Sequence, residues 1–250
     1  MTSRRTAALV AFDLAAIVIV AGLAALAVWQ VHRRAWKLDL IARIEARVHA
    51  FPVPAPAPSR WADISTSADE YRRVTVTGYW LRGRSAFARA GTELGDGYWV
   101  MTPLVQDDGM VVLVNRGFVP ADKRDPASWG SPTPRSEVVT GLLRMSEPGG
   151  AFLRSNDPAA DRWFSRDVAA IAASRGLPAV APYFIDAERR PGHSSLPVGG
   201  LTVISFSNNH LVYAATWCAL ALLAAMGAIF VNLEVLRPGR FRPQGPRLHL

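Results

Sequence analysis

Two long apolar runs stand near the ends of the chain, and between them the hydrophobic period changes. Ala7 to Val28 is broken only by Asp13 and Gly22, and no charged residue lies between His210 and Glu234. About 20 apolar residues at ~1.5 Å rise cover a ~30 Å hydrocarbon core, so each run is long enough to cross a bilayer. The expected spans are residues 7–30 and 209–233, with a short tail 1–6 before the first and a basic tail 234–250 after the second. The first run exceeds the apolar stretch of a signal peptide, and Trp29-Gln30 rather than a small-residue cleavage motif follows it. It reads as an uncleaved anchor.

Beyond the first span, Trp36, Leu40, Ile44 and Val48 recur on one helical face, which predicts a juxtamembrane helix over 31–50. Phe51-Pro-Val-Pro-Ala-Pro-Ala-Pro58 then alternates proline with small residues. Such a stretch favours extended polyproline II, so 51–60 is expected to be a semi-rigid spacer. From Tyr71 the period becomes two: Val74, Val76 and Gly78 alternate with Thr75 and Thr77, as in a half-buried strand. Tyr98 to Leu104 and Met110 to Val114 predict two more strands, with Gln106-Asp-Asp-Gly109 as the hairpin turn between them. Glu137 to Leu143 and Tyr183 to Asp186 are further candidates, and Ile204 to Phe206 is either a last short strand or extended chain. One helix interrupts the series, with Asp157 as cap, Pro158 in the first turn and Gly176 at its end. The fold class predicted is a membrane protein in which two transmembrane α-helices flank a mainly antiparallel β (α+β) extramembrane domain. That domain, 61–206, is a small barrel or sandwich with one helix.

Charge refines this picture. The net charge of +8 and the pI near 10.5 would suit nucleic acid, but much of the basic excess lies beside the apolar runs. Arg4 and Arg5 precede the first run; Arg33, Arg34 and Lys37 follow it; Arg237, Arg240, Arg242 and Arg247 follow the second. No stripe of basic residues interleaved with aromatics occurs in the middle, so nucleic acid is not an expected partner. The arginines after the second span, against none from Pro191 to His210, put the C-terminus in the cytoplasm. Two spans put the N-terminus there too and the central domain in the periplasm, although the first span's own flanks carry the opposite bias. Cys218 is the single cysteine, so no disulfide framework, paired-thiol copper relay or covalent c-type haem attachment is possible.

Four motifs occur in order between the spans. They are Trp29-Gln30-x-x-Arg33-x-x-Trp36-Lys37, Gly97-Tyr-Trp-Val-Met-Thr-Pro-Leu104, Val112-Leu-Val-Asn-Arg-Gly-Phe-Val-Pro120 and Asn208-Asn-His-Leu-x-Tyr213-x-x-Thr-Trp217. Together they resemble the surfeit-locus family of cytochrome oxidase assembly proteins, bacterial type, over about Trp29 to Trp217. Two departures are visible: Phe118 stands where the family usually has Trp, and Cys218 where Phe is common. The resemblance implies an assembly factor for haem-copper oxidases that binds haem a non-covalently and helps deliver it to the catalytic subunit. It implies His210 as the iron ligand, the oxidase catalytic subunit as partner, and haem a synthase as a further one.

The residues around His210 bear on this directly. Asn208 or Asn209 is placed to cap the second span's helix, which sets His210 in its first turn, beside free backbone N–H groups and the positive helix terminus. That terminus disfavours imidazolium, and only neutral imidazole offers a lone pair to iron. Tyr213 and Trp217 lie three and seven residues on, along the same face, and can pack a porphyrin edge. Trp29, Arg33 and Trp36 fall near one face of the first helix at the same depth. Arg33 can pair with a haem propionate. His32 is a possible second ligand, but its ring would point about 100° away from Arg33. The same residues also suit plain interfacial anchoring, since Trp, Tyr, Arg and Lys favour the membrane boundary. Arg116, directly after an apolar strand, serves either a charge aimed at haem or the oxidase subunit, or a salt bridge within the domain. Thr102-Pro103 and Asn115 suit strand-end and turn chemistry. Asp13 is either an interface marker or a functional intramembrane carboxylate.

Three function classes follow: a haem-handling assembly factor, a haem-free membrane scaffold docked on the oxidase subunit, and a tethered periplasmic hydrolase. No GxSxG elbow or HExxH motif appears, and His193 sits in loop-like Pro191-Gly-His-Ser-Ser, so no enzyme activity is expected.

Overall fold

The protein is described by a computed structural model covering residues 3–129, 135–189, 196–202 and 208–237. Two compact units result: Met1–Ile41 with Phe206–Leu250, and Ala42–Ser205. The segment Ile204 to Phe206, expected as a short strand or extended chain, the loop around His193 and the arginines beyond Arg237 lie outside the described residues.

The elements run in the order α1 (Ser3–Val48), β1 (Val53–Pro54), α2 (Thr66–Asp69), β2 (Arg73–Trp80), β3 (Ala86–Thr92), β4 (Gly95–Val105), β5 (Val111–Pro120), β6 (Glu137–Met145), β7 (Gly150–Ala151), β8 (Arg154–Ser155), α3 (Val168–Ser174), β9 (Val180–Ala187) and α4 (His210–Leu236). Short 3₁₀ turns occur at Pro58–Asp63, Ala121–Lys123 and Pro126–Ser128. Both α1 and α4 are long and apolar enough to cross a membrane, with mean hydropathies of 2.6 and 2.1 over their most apolar stretches. α1 continues without a break from the apolar run to Val48. This is a membrane protein with two candidate spans.

The Ala42–Ser205 unit is a small barrel. The strands β2-β6-β9-β5-β4 are hydrogen-bonded in that order, and Tyr79–Val105 and Trp80–Leu104 pair β2 with β4 to close the ring. Closure removes the bare edges that an open sheet presents to other chains. β3 extends β4 as a hairpin from Ala86–Met101 to Thr92–Gly95. Two pairings, β5 with β9 and β1 with β2, are parallel, and the others are antiparallel, so the sheet is mainly antiparallel as expected. Inside the ring lie Val74, Val76, Leu104, Val112, Val114, Leu143, Tyr183 and Ile185. Alternate residues of the same strands, Met101, Leu113 and Phe184, point the other way and pack with Trp163, Val168 and Ile171 beneath α3. β5 and β9 are therefore apolar on both faces, which is why they read as continuous runs and not as alternation.

Several expectations change. The proline-rich segment is no spacer: β1 pairs with Val74 and Thr75, and Pro56 O accepts hydrogen bonds from Tyr183 Oη at 2.9 Å and Trp61 Nε1 at 3.0 Å. The interrupting helix starts at Asp167, whose side chain accepts from Ala170 N, and not at Asp157. Asp157 instead caps a tight turn, accepting from Ala160 N at 3.1 Å, and Asp161 at φ 50° ends any helical course there. β3 was not expected at all, because Ala86, Ala88 and Ala90 give a weak apolar signal.

Candidate functional site

The half-buried positions of α1 and α4 recur every three or four residues. They are Asp13, Ala16, Val20, Leu23, Ala27 and Gln30 in one helix and His210, Ala214, Trp217, Ala221, Ala224, Ala228 and Asn232 in the other. Ala27 and Ala214 are the most buried, at 5% and 7% exposure. Small residues along such a seam let helix backbones approach closely, which is how spans associate where lipid supplies no hydrophobic drive. Polar side chains join the helices at both ends. Asn232 Nδ2 donates to Asp13 Oδ1 at 2.7 Å, and His210 Nδ1 lies 2.8 Å from Gln30 Oε1. The two bonds fix the helices as antiparallel. They also give Asp13 a partner on the other helix, so it is more than an interface marker.

His210 is the first residue of α4, as the motif required, but the cap differs from expectation. Asn209 occupies the N-cap position without a capping side-chain bond; its carbonyl accepts from Tyr213 N at 3.2 Å. Asn208 Oδ1 is buried without a partner among the described residues. Among the described residues no N-cap side chain closes the first turn at His210. The ring is half-buried, and its Nε2 has no hydrogen-bond partner among the described residues.

The aromatic residues divide between seam and surface. Trp217 is half-buried in the same stripe as His210 and Ala214, whereas Tyr213 is 54% exposed and Trp29 is 55% exposed. Arg33 lies with its guanidinium carbon 4.1 Å from the Trp36 ring centre, a cation–π contact that holds the charge at the surface of α1. His32 is two residues past Gln30, about 200° round the helix. Since Gln30 faces α4, His32 faces away from His210 and is unsuited to share an iron with it in one chain.

A haem asks for one axial nitrogen with a free lone pair, flat apolar contact area, and a cation for its propionates. The porphyrin already supplies the iron with four nitrogens, so a single imidazole completes a useful set. His210 Nε2, the rings of Trp29, Tyr213 and Trp217, and the Arg33 fork provide these types within one unit. The donor set fits the group.

Arg116 belongs to the barrel unit. Its guanidinium carbon is 5.4 Å from the Trp80 ring and 5.3 Å from the Trp129 ring. What places it is a buried polar cluster that the sequence did not reveal. Asp186, 4% exposed, accepts from Asn115 Nδ2 at 2.8 Å, Arg144 NH1 at 3.0 Å, Arg166 NH1 at 3.1 Å and Thr202 Oγ1 at 3.0 Å. Asn115 Oδ1 in turn accepts from Gly117 N at 3.1 Å, which shapes the backbone on either side of Arg116. Gly117 has φ 128°, and a Cβ there would lie 2.3 Å from the Val198 carbonyl carbon, so only glycine fits. Burial alone would raise the Glu147 carboxyl, but its bonds to Arg166 hold it below the usual range. Thr102 Oγ1 is 2.9 Å from Ser85 Oγ, a contact internal to the β3–β4 region.

Two participants escaped the sequence-level reading: Gln30 and Asp186. Gln30 sits in the first motif, yet a glutamine at a span's end looks like an interface residue. Asp186 ends an apolar strand and looks like a turn signal.

Comparison with known proteins gives the same answer as the ordered motifs. The model of the SURF1 family matches residues 17–222. Surfeit locus protein 1 of Homo sapiens is 36% identical over 215 residues, covering 78% of this chain and 69% of that protein. The Rattus norvegicus protein of the same name is 35% identical over 213 residues, covering 78% and 67%. A SURF1-like protein of Monosiga brevicollis is 32% identical over 238 residues, covering 89% of this chain and 88% of its own. The chain belongs to the SURF1 family.

Proposed function

We propose that this protein is an assembly factor for a haem-copper cytochrome c oxidase that binds haem a and assists its insertion into the catalytic subunit. It acts as a carrier and chaperone and catalyses no reaction. It lies in a bacterial inner membrane, with the barrel in the periplasm and both termini in the cytoplasm, as the arginines after the second span favour. Haem a synthase is the natural donor of the cargo.

The observation that carries the reading is His210 at the first turn of α4 with Nε2 unpartnered among the described residues, on a helix pair that also exposes the rings of Trp29 and Tyr213. In this role His210 would hold the iron through Nε2, Arg33 would pair with a propionate, and Trp217 would line the seam beside the imidazole. Bound iron would supply the spectroscopic signature of the cargo. The protein's own part is to hold it at the membrane surface until the oxidase subunit accepts it.

The test is complementation. In cells lacking this protein, the haem a content of the oxidase catalytic subunit is expected to fall, and the wild-type chain to restore it. His210→Ala protein, present at wild-type level in the membrane, is expected not to restore it. Full restoration by His210→Ala would overturn the haem role and leave a haem-free scaffold docked on the subunit.

A further inference from the structure

We infer that Gln30 is a positioning residue: its side-chain oxygen fixes the tautomer of His210 and turns the lone pair of Nε2 outward as the ligand atom. The inference rests on the proposed reading of His210 as an iron ligand. Its basis is the 2.8 Å contact between His210 Nδ1 and Gln30 Oε1. With Oε1 as the amide atom that faces the ring, Nδ1 carries the hydrogen, since an amide oxygen accepts and cannot donate. In neutral imidazole only one nitrogen is protonated, and Nε2 is then left with the lone pair.

The seam makes this contact possible. Ala27, one turn before Gln30, and Ala214, one turn after His210, are the most buried positions of the seam. Their small side chains let the helices approach near enough for a glutamine to span the gap. An acceptor on the non-ligating nitrogen is the usual support of a metal-bound imidazole: it sets ring orientation and raises basicity, and its loss costs about 10–100-fold in metal affinity. Gln30 provides it from the neighbouring helix, so the ligand is complete only when α1 and α4 are paired.

A glutamine that served only as interhelical glue would leave the iron's affinity and potential unaffected, whatever it did to the tautomer. The experiment therefore reads both, on the full-length protein in mild detergent. The first arm uses ¹⁵N-histidine NMR of haem-free protein, at a pH where the imidazole is neutral. Wild type is expected to show His210 protonated at Nδ1; Gln30→Leu is expected to lose that preference, and Gln30→Glu to keep it. The second arm adds haem a. Gln30→Leu is expected to bind about 10–100-fold more weakly, with its reduction potential shifted upward, because the imidazole is a poorer donor. Gln30→Glu should restore affinity and shift the potential below wild type. An Nδ1-protonated His210 in Gln30→Leu would overturn the inference, as would unchanged affinity and potential. Failure of wild type to bind haem would overturn the ligand reading alone, because the NMR arm needs no haem.

Discussion

Asn115 Nδ2 donates to Asp186 Oδ1 at 2.8 Å, and the two residues are register partners on β5 and β9, strands that run parallel in the barrel. Asp186 also faces Arg144 and Arg166, whose other partners are Glu70 and Glu147. Removing one member of a buried charged cluster leaves the others unpaired and costs about 3–5 kcal/mol. Asp186→Ala is therefore expected to destabilise the barrel by that amount, and Asp186→Asn, which keeps an acceptor, by less. Denaturant unfolding of the detergent-solubilised protein, followed by tryptophan fluorescence, measures the difference; equal stability of Asp186→Ala and wild type would refute the cluster's role.

The same cluster makes stability depend on acid. Burial pushes the Glu147 carboxyl up, but the Arg166 hydrogen bonds and charge outweigh it, so its folded value lies below the ordinary 4.5. A group held low when folded contributes stability above its unfolded value and loses it as pH falls through its folded value. Thermal midpoints of wild type are expected to fall below about pH 4.5, and Glu147→Gln to show a shallower acid limb. Identical limbs in the two proteins would count against the assignment.

Gly117 and Gly95 separate backbone strain from close contact. Both have positive φ, 128° and 99°, but a Cβ at Gly117 meets the Val198 backbone while one at Gly95 meets nothing within 4 Å. Gly95→Ala is expected to cost the strain alone, on the order of 1–3 kcal/mol. Gly117→Ala is expected to cost more, because Phe118 and Val198 exchange backbone hydrogen bonds at 2.8 and 2.9 Å that must then move. Paired unfolding curves provide the check.

At the other end of the helix pair, Asn232 joins Asp13 across the seam at 2.7 Å. Interhelical hydrogen bonds in membranes average about 0.6 kcal/mol. Asn232→Leu is expected to loosen α1 against α4 by about that much. Cysteine cross-linking between the helix ends, compared in wild type and variant, reads the change.

Much of this architecture was legible because the physics was local. The apolar runs around Ala16 and Ala221 announce helices by length, and Val74, Val76 and Gly78 announce a strand by alternation. What stayed hidden depended on long-range pairing. Ala86 and Ala88 gain meaning as strand residues only beneath Trp163, and Asp157 and Asp167 are equivalent caps until the chain between them turns to pair Trp163 with Ala88. Pro56 looks like part of a spacer until Tyr183 and Trp61 bind its carbonyl. At the site, His210 stood out because imidazole at a span's end is chemically conspicuous. Gln30 did not, since its significance lies in the residue it faces, 180 positions away.

The central claim is that His210 is the haem ligand, and haem a content of the purified protein tests it most directly. Protein isolated in mild detergent from cells making haem a is expected to carry its absorption spectrum. His210→Ala, with unchanged far-ultraviolet circular dichroism, is expected to lose most of it. A colourless wild-type protein that still co-purifies with the oxidase subunit, or a His210→Ala protein that retains full haem, would contradict the account.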